Sequence, residues 1–258
     1  MSPRVAARRG GRFDPRLVLV ITGYALQACF PPKRRVGLVL PAAGALLFAL
    51  LSRVIPDPAA ESLAAVADGG LFGVVLPVGC LVIGDAVLGS EVRSGTLHFT
   101  WLSPAAFGTI VAGRWLAGVV AALVALALPF GLAALVAGVP AAAGPLALSA
   151  AAGSTAYVAV FVLFGAVTRR AVVWSLGFVV LWERLLGAAL SGIAQWSPGW
   201  QARGVYARYG PEAFDGLHRA GIPEGGAAVV RLLVIAAVAL FVAALRLGRL
   251  RLSGPSGD

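Results

Sequence analysis

Charge is scarce in this sequence. Asp, Glu, Lys and Arg make up 12% of its 258 residues, whereas about a quarter of an average soluble domain is charged. That excludes an ordinary water-soluble surface. Lys33 is the only lysine and no GxxxxGK[ST] occurs, so the chain carries no P-loop of its own. HExxH and GxSxG are also missing. The two histidines, His98 and His218, stand too far apart for a metal constellation, and the two cysteines, Cys29 and Cys80, make no disulfide framework. No cofactor, no metal and no catalytic residue are expected in the chain. No cleavable leader is expected in it: the Arg-rich start is followed by LVLVITGYALQACF and then PPKRR, which is no small-residue cleavage site.

What is present is apolar. Hydrophobic residues make up 59% of the chain, and the mean hydropathy is +0.90. A bilayer core needs about 20 mostly apolar residues per helical span. Blocks that meet or approach this length occupy 36–52, 69–90, 115–139, 146–168, a stretch starting at Ala171, and 227–245. Their Ala/Val/Leu runs lack the period-2 alternation of a membrane barrel strand, and lipid leaves only helices or closed barrels. The fold class expected is all-α, a polytopic bundle of six transmembrane helices.

A net charge of +10 in a soluble chain would point to nucleic acid. Its distribution points elsewhere. With a cytoplasmic N-terminus, fifteen of the 21 basic residues fall inside and six (Arg53, Arg184, Arg203, Arg208, Arg219, Arg231) fall outside. Seven of the eleven acids, Asp57, Glu61, Asp68, Glu183, Glu212, Asp215 and Glu224, lie outside as well. This is the positive-inside pattern. It sets the expectation of a plasma-membrane protein of a prokaryote with both termini cytoplasmic, lipids around it and no nucleic-acid partner.

The organisation follows from that topology. Residues 1–12 read as a basic, disordered N-terminus. Residues 13–35 read as an amphipathic interfacial segment, with Tyr24 at headgroup depth and Lys33 to Arg35 at the anionic lipid surface. The six-span domain covers 36–246 and a cytoplasmic tail covers 247–258. PAAAGP (140–145) and Arg169-Arg170 are tight connections between antiparallel helices. The fifth block meets Glu183 and Arg184 after about twelve residues, or about 18 Å of helix against a core of about 30 Å. Either those charges sit in the outer third of one tilted helix, or the span ends there and a re-entrant or interfacial piece follows. Beyond lie Ser197-Pro198-Gly199 and the rest of a polar outer segment, 191–226, with Trp182, Trp196 and Trp200 suited to an aromatic belt. Gly69-x-x-x-Gly73 reads as a close helix-packing face.

One polar insertion interrupts the apolar blocks: GDAVLGSEVRSGTLHFTWLSPAAFGTIVAG, residues 84–113. Leu97 and Trp101 are four apart with Leu102 alongside, an apolar stripe on a short helix. Ser103-Pro104 has the form of an N-cap followed by proline at the first helical position, opening a second short helix into the third span. The charge bias places this insertion in the cytoplasm.

The pattern Glu91-x-x-x-Gly95-Thr96-Leu97, followed by Pro104 and then Gly113-Arg114, resembles the membrane permease subunits of type-2 ABC exporters. The resemblance covers nearly the whole chain: an amphipathic N-terminal segment, six spans, a polar loop after span two and a long outer segment between spans five and six. Arg114 stands where lysine is frequent and keeps the charge. The resemblance implies that 91–113 is a cytoplasmic coupling segment. Glu91, Arg93, Gly95, Thr96, Leu97 and Trp101 would contact a separate ATPase subunit that binds the ATP. It also implies a second permease copy, in a homodimer or heterodimer, and export by alternating access.

Asp85, Glu183 and Arg184 are the candidate pathway or vestibule residues. Each also has a structural reading: Asp85 reaching interfacial water or Arg93, and Glu183 with Arg184 as an interface pair. The insertion itself could be a solvated loop with Glu91 paired to Arg93 or Arg114. Two other functions compete. One is a membrane anchor or regulator recruiting a soluble partner through its basic N-terminus. The other is an intramembrane enzyme, for which no nucleophile-base pair stands out.

Overall fold

A computed structural model describes residues 13–29, 35–89, 105–168, 170–211 and 221–249. Residues 1–12 and 250–258 and the ATPase-contact candidates Glu91, Arg93, Gly95, Thr96, Leu97 and Trp101 lie outside the described residues, as do His98 and Ser103-Pro104. The described chain is helical, without a strand. Its helices are α1 (Pro15–Cys29), α2 (Arg35–Ser52), α3 (Ala59–Leu88), α4 (Phe107–Ala137), α5 (Pro140–Val167), α6 (Ala171–Ala189), α7 (Ser191–Ala194), α8 (Pro198–Tyr209) and α9 (Gly225–Arg249). Five of them, α3, α4, α5, α6 and α9, are long and apolar enough to cross a membrane, where the sequence blocks predict six. The block at 36–52 lies in α2, whose described apolar part, Val39–Ser52, is shorter than a full crossing requires.

Prolines leave a visible signature in the long helices. Pro77 in α3 and Pro129 in α4 each follow a widened, π-helical stretch, Ala67–Val75 and Leu123–Ala127. Proline lacks the N–H that would bond four residues back, and its ring crowds that carbonyl. The turns before it widen to accommodate both effects. The α4–α5 corner closes on Gly138, whose φ of 85° is the left-handed conformation that glycine adopts without penalty. The Val139 N–H then reaches back to the Ala134 carbonyl at 2.9 Å. Pro140 opens α5 with a 3-10 turn, Pro140–Ala142, rather than only ending α4, and Pro145 sits in the first turn of the α-helical part, Ala143–Val167, where the missing N–H costs little.

Helix α5 is the centre of the bundle, packed by α3, α4, α6, α8 and α9. Residues such as Leu146, Tyr157, Val158 and Val162 are fully enclosed along it. Between lipid-facing helices there is little hydrophobic driving force, so dispersion and close approach hold such a bundle together. Small residues provide the approach: a Cβ on Gly118 would lie 2.6 Å from Val158, and one on Gly153 would lie 2.9 Å from Ala202. Phe72 of α3 binds the layers, with its ring centroid 6.0 Å from both Phe130 of α4 and Tyr206 of α8. The Trp115 indole N–H donates to the Thr155 carbonyl at 2.9 Å, tying α4 to α5.

The packing corrects the reading of Gly69-x-x-x-Gly73. Among the described residues the nearest atoms to this pair are not those of a second helix backbone. A Cβ on Gly69 would have nothing within 4 Å, while the space over Gly73 is filled by the Arg184 guanidinium.

Candidate functional site

Helix α6 continues through Glu183 and Arg184 and ends only at Ala189, with Leu190 extended beyond it. The charges are therefore within the helix, and a separate piece follows: α7, then α8, which turns back into the bundle against α5 and α9. Glu183 and Arg184 lie in the π-helical part of α6, Phe178–Leu186. As consecutive residues they point to different surroundings. Glu183 is only 5% exposed and Arg184 is exposed, so they form no pair with each other.

Glu183 is the centre of a buried polar cluster drawn from three helices. The Tyr157 hydroxyl of α5 donates to its Oε2. Its Oε1 accepts from the Ser197 hydroxyl at 2.9 Å and from the Gly199 backbone N–H at 3.1 Å. Ser197 is also the N-cap of α8: its Oγ accepts from the Trp200 N–H at 3.4 Å, and Pro198 follows at the first helical position. A carboxylate at a helix N-terminus meets both the unpaired N–H groups and the positive end of the helix dipole. Glu183 thus fixes the head of α8 to α5 and α6 at once.

The next turn of α8 carries a second charge. Arg203 is 4% exposed, yet its Nε donates to Asp68 Oδ1 at 2.6 Å and its Nη2 to the Asp68 carbonyl at 2.8 Å. Its guanidinium also lies 4.8 Å from the Trp200 ring centroid, within cation–π range. Gly199 sits between the two charges: a Cβ there would lie 2.7 Å from the Tyr157 hydroxyl, 3.3 Å from Glu183 Oε2 and 3.5 Å from Arg203 Nη1. Only a glycine allows α8 to approach this closely. Beneath the cluster, the buried Cys80 thiol lies 3.5 Å from the Ser154 hydroxyl.

At the other end of the bundle, Asp85 is half-buried at the start of a second π-helical turn, Asp85–Gly89. The helical rise from Asp68 places it about 26 Å away. Here Arg114 is 2% exposed and its Nη1 donates to the Val87 carbonyl. Helix α1 lies against the head of α4 at this end. The Thr22 hydroxyl donates to the Gly113 carbonyl at 3.1 Å, the Asp14 N–H donates to Thr109 Oγ1 at 3.3 Å, and a Cβ on Gly113 would meet Ile21 at 2.8 Å.

The structure thus separates Asp85 from Glu183, and Glu183 from Arg184. It adds Tyr157, Ser197, Gly199, Arg203 and Asp68, which sequence reasoning does not place together. One signal is available: Ser197-Pro198 has the same helix-opening form as Ser103-Pro104. Ser197 is fully buried, so its hydroxyl–carboxylate contact with Glu183 is closed to a substrate in this conformation. Among the described residues no three His, Cys, Asp or Glu side chains converge as a metal site requires. No protein-family model matches the chain, and no curated protein matches it.

Proposed function

We propose that this chain is the membrane-spanning permease half of an ABC exporter, moving its cargo across the plasma membrane with ATP hydrolysed by a separate subunit. The observation that carries the reading is the brace at the Asp85 end of the bundle. Two long apolar helices, α3 and α4, flank residues 90–104, and α1 is bonded to α4 where that insertion re-enters it, at Thr109 and Gly113. A partner pressing on Glu91, Arg93, Gly95, Thr96, Leu97 and Trp101 would move two spans and the N-terminal helix together. Charged groups flanking a short apolar stripe give such a contact its orientation, and rigid helices carry the displacement.

In this reading both termini are cytoplasmic, α1 lies along the inner interface, and α2 completes six spans. A second permease copy supplies the other half of the pathway. Glu183 then holds α8 as a re-entrant helix on the outer side, and Asp85 stands at the cytoplasmic end of span two.

The test is recruitment. The tagged chain, isolated from its native membranes, should bring a nucleotide-binding subunit with it. That association should survive deletion of residues 1–12 and be lost on Glu91→Arg. The reverse pattern, loss on truncation and retention with Glu91→Arg, would establish a membrane anchor working through its basic N-terminus instead.

A further inference from the structure

Arg184 is an unusual residue for its position. It lies within α6, a helix apolar enough to cross a membrane, on a stripe with the exposed side chains of Val180, Leu181 and Leu185. Among the described residues its charge is left unbalanced. Glu183 turns inward to Tyr157, Ser197 and Gly199, and Asp68 is held by Arg203. Among the described residues Arg184 has one neutral acceptor, the Gly69 carbonyl, 3.3 Å from Nη2. A guanidinium has five N–H donors in a flat fork, and a charged side chain on a membrane-facing surface needs an anionic partner.

The side chain is nevertheless seated. Gly73 leaves the space it occupies, since a Cβ there would lie 2.6 Å from the guanidinium carbon. Its height in the bundle is also informative. The helical path from Leu88 to Gly73, where the guanidinium sits, rises roughly 22 Å, which places the charge in the outer part of a hydrocarbon core of roughly 30 Å. The long stem carries the charge from α6 across to α3 at Gly73 and Gly69, and a stem of this length lets an arginine reach toward the headgroups. Trp182, two residues earlier and partly exposed, is the kind of ring that settles at headgroup level.

We propose that Arg184, seated over Gly73 and tied to the Gly69 carbonyl, is a binding site for the phosphate of a phospholipid headgroup in the leaflet at the Asp68 end of the bundle. A phosphate presents oxygens at the spacing of the guanidinium fork. The bilayer supplies this anion at this depth, whereas the described residues supply Arg184 with no acid of its own. The lipid would lie along the Val180–Leu181–Leu185 stripe with its headgroup at Arg184. This site is independent of the transport reading, because its test uses the chain alone.

The full chain, purified in detergent, is titrated with phosphatidylglycerol and, separately, with diacylglycerol of the same acyl chains, and bound lipid is counted by native mass spectrometry. Arg184→Gln should weaken phosphatidylglycerol binding about tenfold, the loss of a charge-assisted hydrogen bond, and leave diacylglycerol unchanged. Gly73→Ala should weaken it as well, although Arg184 is retained, because the seat is filled. Arg184→Lys should bind between the two extremes and controls for any variant that fails to fold. Equal binding by wild type and Arg184→Gln overturns the proposal. So does displacement of the lipid by millimolar glycerol phosphate, which would make the site one for soluble phosphates. A disulfide between two copies carrying Leu181→Cys in native membranes would put a second chain on this stripe and overturn it too.

Discussion

Replacing Glu183 with alanine should release the head of α8. The substitution strands three donors: the Tyr157 hydroxyl, the Ser197 hydroxyl and the Gly199 N–H. A buried polar group left without its partner costs about 1–3 kcal/mol, and removing one member of a buried charged cluster costs about 3–5 kcal/mol in all. Hydrogen bonds between membrane helices average nearer 0.6 kcal/mol, because the unfolded chain in lipid finds other partners. The three contacts together therefore give about 2–4 kcal/mol. Glu183→Gln should cost much less. Its carbonyl can still accept from Ser197 and Gly199, and the Tyr157 hydroxyl can turn to accept from the amide. Tyr157→Phe removes one contact and should resemble glutamine.

Hydrogen exchange reads the effect where it is expected. At 1.4 kcal/mol per factor of ten, the amides of Gly199 and Trp200 should exchange roughly 30- to 700-fold faster in Glu183→Ala, if their exchange is governed by local opening. Amides in the middle of α5 should change little. Unchanged exchange at Gly199 and Trp200 in the alanine variant would refute the view that Glu183 holds α8. A glutamine variant as damaged as alanine would refute the role assigned to its hydrogen bonds.

Other outcomes follow from single contacts. Gly153→Val should lower the melting temperature in detergent, since the added atoms must push α8 away at Ala202, an overpacking cost of about 1–3 kcal/mol. Gly113→Leu should lift α1 from α4, because a side chain there meets Ile21 at 2.8 Å and the Val18 carbonyl at 2.9 Å. A cysteine at the 1% exposed Ala25 should then label faster, and unchanged labelling would contradict the packing. Exchanging the charges, Asp68→Arg with Arg203→Asp, should fail to restore the stability lost in Asp68→Ala, because Arg203 also stacks on Trp200. Full rescue would reduce that cluster to a simple ion pair.

The apolar blocks announce the helices, but polar residues hide their ends. The second block reads as starting at Gly69 because Asp68 and Glu61 interrupt the run. The helix nevertheless begins at Ala59, with Asp68 paired to an arginine 135 positions away. Glu183 and Arg184 look like a pair in one dimension, yet the local helix sends one inward and leaves the other exposed. Tyr157, 26 positions before Glu183, carries no local sign that it is the carboxylate's partner. The two meet because α6 packs on α5, and α8 folds back against α5 and α9 to bring Ser197 and Gly199 to the same carboxylate. Ser197-Pro198 is the legible part of the site, a helix start by the same rule that reads Ser103-Pro104 as one. The seat over Gly73 is not legible, since a glycine that makes room for a guanidinium looks in sequence like one that makes room for a helix.

The proposed permease role is tested most directly by ATP hydrolysis in a lipid nanodisc holding this chain and the nucleotide-binding subunit isolated with it. The chain should change the subunit's hydrolysis rate, and Glu91→Arg or Leu97→Asp should abolish that effect while α3, α4 and α5 remain folded. Hydrolysis indifferent to both substitutions, or the absence of any nucleotide-hydrolysing partner in the native membrane, would contradict it.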